Sequence, residues 1–172
     1  MDENVTESVE ELEPPGGTDI GMWPPVITHE MQDVWAKLGP TLVQNCKEWL
    51  FEQYSDKQSR GDSLKPRICT TSIFARQHVN GEVIHRQWLC FSTATGRVYC
   101  FYCKLMAPGT TKLADTGFSN WRHAQEHFLQ HEGSEAHLRA LFDLKKRKST
   151  TGVIDEKLKQ QIEKEHDYWT SL

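Results

Sequence analysis

The sequence predicts an α+β fold in which a three-stranded antiparallel β-meander is followed by helices. Two observations carry this prediction. Between residues 74 and 101, segments rich in β-branched and aromatic residues are separated by the turn dipeptides Asn80-Gly81 and Thr95-Gly96. Beyond residue 120, apolar residues recur every three or four positions, as they do on one face of a helix.

The strands of the meander are expected at 74–79, 83–91 and 97–101. Asn80-Gly81 tolerates the positive φ angles of a type I′ turn, which favours a tight hairpin between the first two strands. Helices are expected at 121–131 and 134–148, with Gly133 ending the first and Ser134 capping the second. A separate C-terminal helix is expected at 154–170, where Ile154, Leu158 and Ile162 are spaced by four.

The N-terminal part divides into a tail and a helical lead-in. Residues 1–19 are acidic and poor in large apolar groups, so they are expected to form a disordered acidic tail that buries too little surface to offset its ordering entropy. Residues 20–59 are expected to form N-terminal helices, one at 28–38 capped by Thr28 and ended by Gly39-Pro40, and one at 41–54.

The charge of the chain is unevenly distributed. The net charge is −4, yet residues 1–33 hold nine acidic residues and no Lys or Arg, whereas residues 60–148 hold 14 basic and 7 acidic residues, a net of +7. A basic body favours a polyanionic partner, although a solvated surface explains the same charge. No signal peptide or apolar run of membrane-spanning length is found, so no membrane partner is expected.

The cysteines point to a metal and not to disulfides. Five cysteines are an odd number, and the chain has no export signal, so a reducing compartment is expected. Cys100 and Cys103 have the spacing of the first half of a tetrahedral zinc site, and His131 and His137 can complete it. A closed Cys₂His₂ site leaves no position for a substrate. We therefore expect structural Zn²⁺ in a small zinc-stabilised domain, no enzyme activity and no small-molecule substrate.

Other interpretations of these residues stay open. His123, His127 and His131 share one helix face, so an adjacent pair could chelate the metal, with His127 as the main competitor. The Cys-x-x-Cys pair could also be two buried thiols or a redox motif, but a redox motif normally begins a helix, and no helix is expected directly behind this one. The remaining cysteines lack ligand spacing and are interpreted as small buried residues: Cys46, Cys69 and Cys90.

Four ordered motifs resemble a known family. They are Arg86-Gln87-Trp88-Leu89-Cys90-Phe91-Ser92, Val98-Tyr99-Cys100-Phe101-Tyr102-Cys103, Gly117-Phe118-Ser119-Asn120-Trp121, and His131-Glu132 with Ser134 and His137. Together they resemble the TTF-type zinc finger, which precedes the catalytic region of hAT-superfamily transposases and occurs in domesticated relatives such as the zinc finger MYM-type proteins. The resemblance covers roughly residues 19–145, and it departs from the family at Cys90-Phe91.

The resemblance implies a TTF-type zinc finger domain over residues 68–148, with Cys100, Cys103, His131 and His137 as the zinc ligands. It also implies a nuclear, DNA-binding protein derived from a transposase. The catalytic domain of a transposase needs several hundred further residues, so a chain ending at Leu172 is expected to lack it, either as a fragment or as a stand-alone remnant.

The leading hypothesis is a module that binds duplex DNA. Its candidate phosphate contacts are basic residues on the predicted histidine-bearing helices: Arg122, Arg139, Lys145, Lys146, Arg147 and Lys148. The last four could instead form a nuclear localisation signal. The alternative hypothesis is a zinc-stabilised protein-interaction module, which dimerises or binds another protein through 154–170. Binding to double-stranded RNA is a third possibility.

Overall fold

The computed structural model describes residues 13–47, residue 51 and residues 68–170; beyond residue 150, it describes side chains only at 157, 158, 160–164, 166 and 168. Both helices and antiparallel strands are present, which confirms the predicted α+β class. The α-helices are α1 (His29–Leu38), α2 (Thr41–Gln44), α3 (Phe101–Met106), α4 (Ala124–Glu132) and α5 (Glu135–Thr170). The strands are β1 (Ala75–Gln77), β2 (Val83–His85), β3 (Leu89–Ser92) and β4 (Arg97–Cys100).

The strands form two separate hairpins and not the predicted three-stranded meander. β1 pairs with β2, and β3 pairs with β4, so each sheet in the described part of the chain has two strands. The predicted strand 83–91 is interrupted between β2 and β3, where the Gln87 amide donates to the His85 carbonyl and the Leu89 amide to the Arg86 carbonyl. These bonds turn the chain and bring the Arg86 side chain into the interior, where it is 2% exposed.

The turn between β1 and β2 also differs from the prediction. Gly81 has a φ of 86°, but Asn80 does not adopt a positive φ, so the turn is not type I′. The loop is instead closed by a hydrogen bond from the His78 amide to the Glu82 carbonyl (2.7 Å) and one from the Gly81 amide to the His78 carbonyl (2.9 Å). The Asn80 side chain accepts from the Glu82 amide. The Asn80-Gly81 dipeptide therefore marks the hairpin correctly but not its turn type.

The lead-in agrees with the prediction in its first helix and not in its second. Thr28 caps α1 through a hydrogen bond from the Met31 amide to its hydroxyl, as expected. Helix α2 ends at Gln44, well short of the predicted 41–54, because Asn45 takes a left-handed conformation with a φ of 48°. Residues 48–50 and 52–54 of the predicted helix lie outside the described residues.

Residues 13–19 are ordered, although the sequence assigned them to the disordered tail. The Trp35 indole donates to the Pro15 carbonyl (2.8 Å), and the Trp23 indole donates to the Gly17 carbonyl (3.1 Å). Asp19 caps the short 3₁₀ helix that follows. These bonds attach residues 15, 17 and 19 to the lead-in, and residues 1–12 of the predicted tail lie outside the described range.

Helix α5 is one continuous helix where two were predicted, at 134–148 and 154–170. The Ser149 and Thr150 hydroxyls donate to the carbonyls of Lys145 and Lys146, so both side chains are accommodated inside the helix. Gly152 costs only about 1 kcal/mol relative to alanine, and no proline is present to end the helix.

Two clusters of buried side chains form the core. One surrounds the β3–β4 hairpin and α4, and includes Trp88, Phe91 and Phe128. The other joins the lead-in to the rest of the chain, because Trp23 and Trp35 pack at the ring of Phe101 on α3. Among the described residues, no helix is both long and apolar enough to cross a lipid bilayer.

Candidate metal centre

The cysteine half of the candidate centre lies where β4 passes into α3. Cys100 is the last residue of β4 and the N-cap of α3, and its Sγ accepts a hydrogen bond from the Cys103 amide (3.5 Å). Cys103 lies one turn further on, so both sulfur atoms point to the same side of the helix start. The expectation that no helix follows the motif is therefore wrong. The segment from Phe101 to Met106 contains no residue that breaks a helix.

The histidine half lies at the corner between α4 and α5. His131 is in the last turn of α4 and His137 is in the first turn of α5. Ser134 joins them, since its hydroxyl donates to the His131 carbonyl (2.7 Å) and accepts from the His137 amide (3.3 Å). The predicted Ser134 cap is thus confirmed, and it fixes the two imidazoles relative to each other.

The four side chains meet around one point. Their ligand atoms all lie within 4.8 Å of one another, and all four residues are buried. The Cys100 Sγ is 3.4 Å from the His137 Nδ1, and the Cys103 Sγ is 3.6 Å from the His131 Nε2. The two ring nitrogens are 3.1 Å apart, and the Cys103 Sγ is 3.9 Å from the His137 Nδ1.

The four individual separations, from 3.1 to 3.9 Å, are close to those around a tetrahedral zinc ion. With Zn–S bonds of about 2.3 Å and Zn–N bonds of about 2.0 Å, tetrahedral ligand atoms lie roughly 3.3–3.8 Å from one another. Two thiolates and two imidazoles are also the donor set that Zn²⁺ favours. The buried Cys₂His₂ group therefore supports zinc as the cofactor of this protein.

Aromatic rings enclose the site. The Trp88 ring centroid lies 5.1 Å from that of His131 and 5.2 Å from that of His137, and the Tyr102 ring lies 5.7 Å from that of His137. Trp88 itself is buried there. Phe91, Tyr99 and Phe118 are buried as well, and Trp121 is half-buried.

The electrostatics favour a thiolate at Cys103. The hydrogen bond from the Cys100 thiol lowers the pKa of Cys103 to about 3, and hydrogen bonds from His131 and His137 act in the same direction against burial. Burial raises the pKa of Cys100, whose thiol is then the donor of the pair. A deprotonated sulfur surrounded by imidazoles is the form that binds a metal ion.

The competing interpretations find less support. His127 stacks on Phe118 with ring centroids 4.2 Å apart and is not a member of the four-residue group, and His123 is exposed. The pKa of His127 is lowered chiefly by burial, and the charges of His131 and Lys112 add to this. Position alone would allow a redox pair at the start of α3, but both sulfur atoms are completely buried, whereas a redox thiol must be reached by its partner.

The other cysteines behave as small core residues. Cys69 and Cys90 are buried, and burial raises the pKa of each thiol. Cys46 is half-buried and packs against the cluster around the site. Buried thiols whose pKa is raised stay protonated and unreactive, which agrees with the interpretation made from the sequence.

An ion pair that the sequence did not indicate holds α4 in place. Glu132, the neighbour of His131, accepts from the Arg86 Nε (2.5 Å) and from Arg76 (3.0 Å). The Arg86 guanidinium also donates to the Ile73 carbonyl and to the Gln125 side chain, at 2.8 and 2.7 Å. An arginine within the predicted strand 83–91 would ordinarily face solvent, and the partner of Arg86 lies 46 residues away, so no local pattern could have revealed the contact.

The candidate phosphate contacts do not all lie on one surface. Arg122 is exposed in the 3₁₀ turn Trp121–His123 before α4. On α5 the exposed residues are Arg139, Lys145, Lys146 and Lys148. Arg147 points the other way, toward α1, where it pairs with Asp33 (2.7 Å) and contacts His29 (3.1 Å). The structure therefore brings five of the six to the surface and engages the sixth in holding α1 on α5.

The site defines the class of the protein, which is a zinc-binding module with a closed Cys₂His₂ centre. The chain is similar to zinc finger MYM-type protein 5 of human, with 31% identity over 121 residues, and to its counterparts in Macaca fascicularis (30%) and mouse (26%). Each match covers 70% of this chain but only 16–17% of the relative. The similarity supports a MYM-type zinc finger family. No protein-family model matches the chain, and no solved structure matches it significantly.

Proposed function

We propose that the protein is a zinc-dependent module that binds duplex DNA, and that Cys100, Cys103, His131 and His137 hold its zinc ion. The observation that carries the proposal is the position of the site at the N-terminus of α5. A metal held by these residues fixes the start of a helix whose outer surface is basic. All four positions of a tetrahedral ion are then filled by protein, so the zinc ion has no open position for a substrate or a catalytic water.

The proposed DNA contacts are electrostatic. Arg122, Arg139, Lys145, Lys146 and Lys148 are exposed, and residues 60–148 carry a net charge of +7. Contacts of Lys and Arg with phosphates release counterions, and they supply affinity without base specificity. Arg147 contributes less than its neighbours, because Asp33 already holds its guanidinium.

Lineage and location belong to the same proposal. We assign residues 68–148 to a TTF-type finger of hAT-transposase origin and expect the protein in the nucleus, with the run 145–148 as its import signal. The similarity to zinc finger MYM-type protein 5 supports this assignment, as does the presence of the family motifs at the centre itself.

Duplex affinity of the zinc-loaded full chain at several salt concentrations tests the DNA proposal. Replacing Lys145 and Lys146 with alanine should weaken binding to all duplexes alike and reduce the slope of log affinity against log salt by about one per lost contact. The matched control is Lys47→Ala, an exposed lysine outside α5. Equal affinity and equal slope in all variants would refute the proposal, and duplex RNA serves as the competing ligand.

A second candidate function is self-association through the end of α5. Leu158 and Ile162 are 55% and 58% exposed, and they continue the helix stripe on which Ala140 and Leu144 are buried. Sedimentation of the full chain and of Leu158→Gln with Ile162→Gln tests it, and a monomer in both would exclude it.

A further inference from the structure

The outer face of α5 carries an apolar pair among basic residues. Leu138 and Phe142, one helical turn apart, are 53% and 65% exposed. Arg139, Lys145 and Lys146 are exposed beside them, and the acidic Glu135 and Asp143 border the group. We call Leu138, Arg139, Phe142, Lys145 and Lys146 the outer α5 face. An exposed phenylalanine next to an exposed leucine, with amines beside them, gives a small apolar surface on which an acidic amphipathic segment can dock.

The first twelve residues of the chain have the complementary composition. They hold five acidic residues and no basic one: Asp2, Glu3, Glu7, Glu10 and Glu11. Val5, Val9 and Leu12 follow the spacing i, i+4, i+7, so they would share one side of a helix formed on binding. The segment thus offers an apolar stripe with carboxylates around it, and the outer α5 face offers an apolar pair with amines and a guanidinium around it.

The segment starts close enough to reach this face. The described part of the chain begins at residue 13 beside α1, where the Pro15 carbonyl accepts from the Trp35 indole. Helix α1 packs against α5, and Arg147 joins them through Asp33. Twelve residues span up to about 40 Å, whereas the chain must pass around a helix only about 10 Å thick. Tethering gives an effective concentration on the order of millimolar, so even a weak contact is substantially occupied.

We propose that residues 1–12 dock on the outer α5 face and compete there with duplex DNA. The regulatory part rests on the proposed function, because Lys145 and Lys146 are also its phosphate contacts. The bound segment pairs its carboxylates with the same amines that would meet phosphates. The acidic start of the chain is then a built-in competitor that lowers duplex affinity.

Carbodiimide cross-linking of the full chain tests the contact without DNA, since the reagent joins carboxylates only to amines that they touch. We expect peptides that link Glu7, Glu10 or Glu11 to Lys145 or Lys146. Phe142→Gln and Val9→Ser should lower their yield about tenfold, the factor that ~1.4 kcal/mol of lost apolar contact gives. Leu129→Gln, at an exposed leucine of α4 outside the face, is the control and should leave the yield unchanged.

Duplex affinity provides the second readout. Phe142→Gln alters no charge. If the tail acts only through its overall charge, the variant should bind duplex DNA as the wild type does. If the tail is a docked competitor, the variant should release it and bind duplex DNA about twofold to tenfold more tightly. Absence of the cross-links, or a yield equal in Phe142→Gln and the wild type, would overturn the docking. In a mixture of ¹⁵N-labelled and unlabelled chains, links between the two isotopes would overturn it in favour of a second copy. Cross-links as expected without duplex binding would refute the proposed function and leave the docking intact.

Discussion

The four residues of the metal centre are held by different parts of the chain. Cys100 and Cys103 are fixed by a single helix start, so the two-residue spacing alone brings their sulfur atoms together. His131 and His137 depend on the corner at Ser134, and His131 depends further on the ion pair of its neighbour Glu132 with Arg86. The cysteine half of the site can therefore be predicted from residue spacing, whereas the contact of Arg86 with Glu132 forms only in the folded chain.

Histidine substitutions separate the centre from its competitors. His137→Ala should abolish tight zinc binding, because it removes one of four buried ligands, while His127→Ala and His123→Ala should leave it intact. His127 lies against Phe118 and His123 is exposed, so both are matched imidazole controls. Zinc titration of the three variants measures this. Loss of binding in His127→Ala with normal binding in His137→Ala would place the site on the face of α4.

The two arginines that share Glu132 should differ strongly in their effect on stability. Arg86 is 2% exposed, and Arg86→Leu removes the donor to one carboxylate oxygen of Glu132 and to three other acceptors. Glu132 keeps only its partly exposed partner Arg76, so the substitution should cost about 3–5 kcal/mol of unfolding free energy. The Arg76 side chain is 32% exposed, and Arg76→Leu should cost less than about 1 kcal/mol. Urea unfolding of both variants tests this. Equal costs would contradict the role given to Arg86.

At the scale of elements, the sequence predicted where strands and helices lie better than it predicted where they are interrupted or joined. The β3–β4 hairpin was predictable because Thr95-Gly96 marks its turn and its residues are β-formers, and Gly96 has the positive φ of such a turn. The break between β2 and β3 was not, since it depends on the inward turn of Arg86. Helix α5 was predicted as two helices because polar residues and Gly152 interrupt the apolar spacing, yet the helical backbone continues through them.

Gly152→Ala tests the continuity of α5. In an unbroken helix, alanine is more favourable than glycine by about 1 kcal/mol, so the substitution should slow amide exchange over residues 149–158 roughly fivefold. Hydrogen exchange measured by mass spectrometry gives the result, with zinc content as the check that the centre is unaffected. If amide exchange over residues 149–158 were faster in the variant, or unchanged, the helix would be interrupted at this point.

At the scale of the molecule, the metal centre lies where the main parts of the fold meet. It joins the end of β4, the start of α3 and the corner between α4 and α5, and α5 in turn packs on α1 of the lead-in. The second core cluster continues this connection through Trp23, Trp35 and Phe101. The α+β class could be predicted from the residue pattern, and the pairing of Cys100 with Cys103 from their spacing, whereas spacing alone left His127 in competition with His131 and His137. The packing of the lead-in could not be predicted, because it depends on contacts between residues 13–36 and residues about seventy positions away.

Zinc removal tests the central claim most directly. Structural zinc contributes on the order of 10 kcal/mol, which is comparable to the whole stability of a domain this size, so the metal-free chain should unfold. Native mass spectrometry should show one zinc per wild-type chain and none in Cys103→Ser. A chelator should abolish the near-UV signal of the buried tryptophans and the cooperative thermal transition, and added zinc should restore both. A chelated chain that retained its near-UV spectrum and its melting temperature would contradict the account.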